Sequence, residues 1–213
     1  MTYAELQDAV ADKIQDTSAA YIASIPTRIN EAYALICENA NLPSLKAIGV
    51  VSASLSVNYV NVKTTLTSFS GKLRYVGTSN GRIPILDGGL DALIDEYPDF
   101  TETGEIEKCA IEGDILWYMN IPTVATSLTL MYYKVPDDMV ADSDIPVELP
   151  SYLHRGLLVN KTAGLIFSDI EDGIDGPKIN TLMCEKDFDT FNKQLLAWVS
   201  KRRGCVGGSV WDI

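Results

Sequence analysis

The apolar residues of this chain change their spacing twice, and that switch constrains the fold more than any other feature. Helical spacing at both ends encloses a long middle stretch in which the period shortens towards two. An order of helices, then strands, then helices points to an α+β fold. It argues against the repeated strand–helix alternation of a parallel-sheet protein. From Tyr3, apolar residues recur as Leu6, Val10 and Ile14. A second helix is expected from Ser24, a good N-cap, with Pro26 in its first turn and a stripe of Ile25, Ile29, Tyr33 and Ile36. Pro43 closes this region.

At the other end a third helix is expected over Ser151–Phe167, with Leu153, Leu157, Leu158, Leu165 and Ile166 on its apolar side. A fourth opens near Pro177 and carries Ile179, Leu182, Phe188, Phe191, Leu195 and Val199 at steps of three and four. It ends in Lys201, Arg202 and Arg203 before Gly204, where the helix dipole favours cations and a C-cap favours glycine. None of these helices should be stable alone. The expectation is one helical bundle, residues 1–46 and 146–203, built from both chain ends.

The middle, residues 47–135, is expected to form an inserted antiparallel β-sandwich or barrel. Its signals are the Asn80-Gly81 turn between Leu73–Val76 and Arg82–Leu86, and a second hairpin turning at Glu112-Gly113-Asp114. Ser127–Tyr133 is the clearest strand, and Pro84 belongs on a sheet edge. Leu90–Asp95 reads as a short helical excursion. An acidic linker, exposed, is expected over 136–145, and a flexible tail over 204–213.

Charge bears on function. Seventeen Lys and Arg against 29 Asp and Glu leave a formal charge of -12. That balance argues against sequence-independent duplex binding, which depends on cations neutralising phosphates. No signal peptide opens the chain, and no apolar run approaches the roughly 20 residues of a membrane helix. Cys37, Cys109, Cys184 and Cys205 are scattered, which suits reduced thiols in a cytosolic protein. No metal site or other cofactor is expected.

Each catalytic motif fails on context. Gly77-Thr78-Ser79-Asn80-Gly81 fits the pattern of a serine-hydrolase elbow, but a strand rather than a helix should leave it. His154, the only histidine, should lie on the surface in the first turn of the third helix, beside Arg155. The acidic run from Asp169 to Asp175 cannot be aligned to a calcium loop with a glutamate in the twelfth position. The expectation is that the chain is not an enzyme.

Several stretches, taken in order, resemble those of the head–tail adaptor (connector) proteins of tailed bacteriophages. They are Thr2-Tyr3-Ala4-Glu5-Leu6, Ile29-Asn30-Glu31-Ala32-Tyr33, Asp95-Glu96-Tyr97-Pro98-Asp99 and Ala110–Leu116. Leu128–Pro136 and Leu149–Arg155 complete the series. The resemblance implies a structural virion protein of the neck, made in the host cytoplasm. It implies a homo-oligomeric ring, usually a dodecamer, that binds the portal and tail proteins and lines the DNA channel without specific DNA binding. The isolated subunit can be a monomer. Candidate portal or subunit contacts are His154, Arg155, Lys201, Arg202, Arg203 and Trp211, the last as an aromatic anchor on a glycine-rich tail. The alternative is a β-sandwich binding module for a sugar or protein, which an exposed aromatic patch on one sheet face would favour.

Overall fold

The computed structural model describes residues 1–15, 18–172 and 178–204. They form five α-helices and two antiparallel sheets, an α+β fold, divided into two compact units. One unit is Met1–Ser44 together with the described chain from Pro136 onward, and the other is Leu45–Val135.

In the helical unit, α1 (Tyr3–Ile14) opens on a capping box. Thr2 Oγ1 accepts from the Glu5 amide at 3.3 Å, and Glu5 Oε2 accepts from the Thr2 amide at 2.9 Å. Its stripe of Tyr3, Leu6, Val10 and Ile14 is buried as the spacing requires. Helix α2 (Ala19–Ala40) corrects the expected start: Ser18 takes the N-cap position, and Pro26 lies well inside the helix. A mid-helix proline removes one intrahelical hydrogen bond. The helix persists because Ile25, Ile29, Tyr33 and Ile36 are buried around it, while the Tyr3 hydroxyl donates to the Pro26 carbonyl at 2.9 Å. Tertiary packing here overrides a local stop signal.

The expected third helix is a continuous helical run of three kinds. A 3₁₀ turn (Ser151–Leu153) leads into a π-helical segment (Arg155–Val159) and then α4 (Asn160–Ile170). Helix α5 (Ile179–Gly204) packs against α4. It buries Thr181, Cys184, Leu195 and Val199, whereas Ile179 and Leu182 of the expected stripe are 58% and 57% exposed. At this end the sequence pattern names the wrong face, because Glu171 rather than an apolar residue holds the start of the helix. Its carboxylate accepts from the Asn180 amide at 3.0 Å, the Thr181 amide at 3.2 Å and the Thr181 hydroxyl at 2.7 Å. Those bonds, the Thr181 hydroxyl first, hold the Glu171 carboxyl below the usual range.

The stretch expected as an exposed acidic linker is fastened to the helices. Asn30 clamps the Met139 backbone, donating to its carbonyl and accepting from its amide, each at 3.0 Å. The Tyr3 amide donates to the Asp144 carbonyl at 2.7 Å, and Met139 is buried. Asp137, Asp138 and Asp142 stay exposed, while the Asp144 carboxylate accepts from the Val140 amide at 2.7 Å and the Ala141 amide at 2.8 Å.

In the β-unit, β1 (Lys46–Ala53), β7 (Thr126–Lys134), β3 (Phe69–Thr78) and β4 (Gly81–Ile83) form one sheet in the order β1-β7-β3-β4. The second sheet has the order β2-β6-β5, from β2 (Tyr59–Asn61), β6 (Ile115–Tyr118) and β5 (Cys109–Glu112). Strand β7, the clearest in sequence, is paired on both sides. Both hairpins form where their turn residues sit, with Gly113 at φ 58° in the second. Neither sheet closes into a barrel, which corrects that half of the expectation. Phe69, Val76, Leu116, Tyr118, Leu128 and Leu130 from the two sheets meet in one core. The short α3 (Gly89–Glu96) packs against β5.

Candidate functional site

A cleft lies in the helical unit, between α1, the π-helical segment and α5. It is a cleft of about 610 Å³ lined by Asp12, Lys13, Tyr152, Arg155, Asn160 and Phe191, among others. A π-helical segment widens the helix by one residue and leaves its carbonyls displaced. The Gly156 carbonyl is recovered by Asn160, whose Nδ2 donates to it at 2.7 Å. Asn160 Oδ1 in turn accepts from Lys13 of α1, and Lys13 lies 3.6 Å from Asp187 of α5. One lysine therefore ties three helices together at the floor of the cleft. Phe191 packs flat on Gly156, so closely that a Cβ there would stand 2.4 Å from the ring. Only glycine allows this approach.

Arg155 is exposed and lines the cleft. His154 is not on the surface: it is 1% exposed. Its Nδ1 lies 3.1 Å from the Met1 amino group and its Nε2 3.1 Å from the Leu149 carbonyl. The ammonium can only donate, so Nδ1 accepts and Nε2–H donates, which makes the ring neutral. Burial, outweighing the Leu149 contact, holds its pKa below the ordinary 6.5. Helical phase explains the correction: His154 stands three and four residues before the buried Leu157 and Leu158 and so shares their inner side, not that of Arg155.

Lys201 and Arg202 are exposed at the end of α5, and the Arg202 guanidinium stacks on Trp198, 4.2 Å from the ring centroid. Arg203 lies in the last turn of the same helix. Trp211 and the expected tail from Cys205 onward lie outside the described residues, as do Gly173–Asp175 of the acidic run. The cleft and the cationic helix end are thus separate features of one unit. The sequence points to the second through its cations, whereas Lys13, Asn160 and Phe191 carry no motif. The T-x-x-E capping box at Thr2–Glu5 was a legible signal that the spacing analysis passed over.

In chemistry, these groups favour contact over catalysis. Ser79 sits at a tight turn between β3 and β4, with a strand leaving it, so the elbow geometry is absent. Burial raises the Cys109 thiol to about 12 and pushes the Cys37 thiol higher still, far from a reactive thiolate. Among the described residues the three cysteines are free and no group of His, Cys, Asp and Glu could hold a metal ion. None of the described helices is long and apolar enough to cross a membrane. On the three-stranded sheet Tyr59 packs on Trp117 at 5.1 Å, but the Trp117 indole nitrogen is enclosed, so the pair presents mainly one tyrosine ring.

The chain belongs to the SU10 adaptor protein family, whose sequence model matches residues 1–174. This is a family of bacteriophage adaptors, structural proteins that meet other virion proteins. The match takes in both sheets, His154, Arg155 and the helical run through α4, and stops before α5. No curated protein matches the chain.

Proposed function

We propose that this protein is the subunit of an adaptor ring that joins the portal of a tailed bacteriophage to its tail. The family match over residues 1–174 carries this reading. In it, both chain ends build a helical bundle around an inserted β-sandwich, and the ring sits in the virion neck, twelvefold like the portal. Such a ring is heterologous and closed, each subunit using two different surfaces. The charge of -12 supports a lining role, since an acidic channel wall repels DNA phosphates and lets the genome pass without sticking. Arg155, Lys201, Arg202, Arg203 and Trp211 are the proposed contacts to portal or neighbouring subunits. His154 contributes from inside, by fixing the turn that presents Arg155. Single-particle microscopy of the protein mixed with purified portal tests the reading. A joint ring assembly is the expected image, and two separate populations under virion-like conditions would overturn it.

A further inference from the structure

Charge in the β-unit is segregated. The four strands β1, β7, β3 and β4 hold Lys46, Lys72, Arg74, Arg82 and Lys134 and no carboxylate, in a chain with 29 Asp and Glu. Strand alternation divides their side chains. Val51, Ala53, Val76, Leu128 and Leu130 enter the core. Lys46, Ile48, Val50, Thr129, Met131 and Tyr75 therefore share the outward face, with Arg74 lying over the Tyr133 ring at 5.9 Å. On that face Ile48 is 66% and Val50 54% exposed. Lys46 has no carboxylate partner among the described residues. An apolar strip flanked by Lys46 and Arg74 suits a partner that brings an apolar side chain flanked by carboxylates.

The same unit carries such an element. From Asp87 to Glu107 the chain has eight carboxylates and neither Lys nor Arg. Within it, α3 exposes Ile94 (41%) between Asp91 and Asp95. Glu96 is engaged with Lys108, and Glu105 is within 3.5 Å of Asn80, but Asp91 and Asp95 have no partner among the described residues. Helix α3 packs against β5 of the other sheet, so the two surfaces belong to different faces of one unit. Complementary patches on different faces pair between copies, head to tail.

We propose that a second copy of this chain seats α3, through Ile94, Asp91 and Asp95, on the outward sheet face at Ile48, Val50, Lys46 and Arg74. The proposal rests on the ring reading above and names the subunit contact within it. Two double variants test it in the full-length chain, K46E/R74E on the sheet and D91K/D95K on α3, by sedimentation velocity at low salt and by assembly on purified portal. Each alone should associate about tenfold more weakly than wild type. Their equimolar mixture should recover assembly, because each reversed face then meets its reversed partner. Recovery also shows that both variants are folded. If wild type forms no oligomer even on portal, the ring reading and this contact fall together. If wild type assembles and both variants assemble equally well, or the mixture fails to recover, the contact alone is overturned. It is likewise overturned if K46E/R74E self-associates normally but no longer joins the portal, since the face would then belong to the portal.

Discussion

The helical unit and the β-unit each bury an apolar core, but they differ in how their segments are joined across the sequence. In the β-unit, strands pair through backbone ladders over one apolar core, and all of them lie within a single stretch of about ninety residues. In the helical unit, segments more than a hundred residues apart are joined by polar side chains that reach across. Lys13 meets Asn160, Arg28 meets Asp169, Asn30 holds Met139, and the Met1 amine meets His154. A contiguous unit can rely on non-directional burial. A unit assembled from two chain ends needs directional bonds to set its register.

The sharpest test of that contrast is Leu130→Ala at the centre of β7. It removes a fully buried side chain from the shared core and should cost about 2–5 kcal/mol, seen as a large fall in the urea midpoint. A loss below 1 kcal/mol would mean that the ladders, not the core, hold the β-unit. Asn30→Ala should follow, at about 1–3 kcal/mol, because it leaves both the amide and the carbonyl of Met139 unpaired. Amide exchange at Met139–Ala141 should quicken while that of β7 stays unchanged. Faster exchange throughout would show that the two units are not separable in this way.

The smallest expected effect is a pH dependence confined to the helical unit. His154 has its folded pKa below 6.5, so the unfolded chain binds the extra proton first as pH falls. The neutral ring's contribution is full above about pH 6.5 and is lost as pH drops through the window beneath it. Between pH 7 and pH 5.5 the wild-type protein should therefore lose more stability than His154→Gln, and parallel curves would refute the role given to the ring.

Much of the fold was legible. Tyr3, Leu6, Val10 and Ile14 were all placed on the buried side of one helix, and the turns at Ser79-Asn80 and Gly113 were found, because these signals are local. Of the residues that line the cleft, only Arg155 was named from the sequence as a contact, because Lys13 and Asn160 carry no local signal. Pro26 misled because its local cost is smaller than the burial of the helix around it. Ile179 and Leu182 misled because a periodic stripe says which residues share a face, not whether anything covers that face.

By itself, then, the sequence determined the element types, their order and the acidic balance, since period, turn chemistry and charge act over a few residues. The tertiary structure alone decided which faces are buried. It placed His154 inside, joined Lys13 to Asn160 across 147 positions, and left Ile48 and Val50 open beside Lys46. Those outcomes depend on partners far away in the chain, and no local pattern encodes the distance between them.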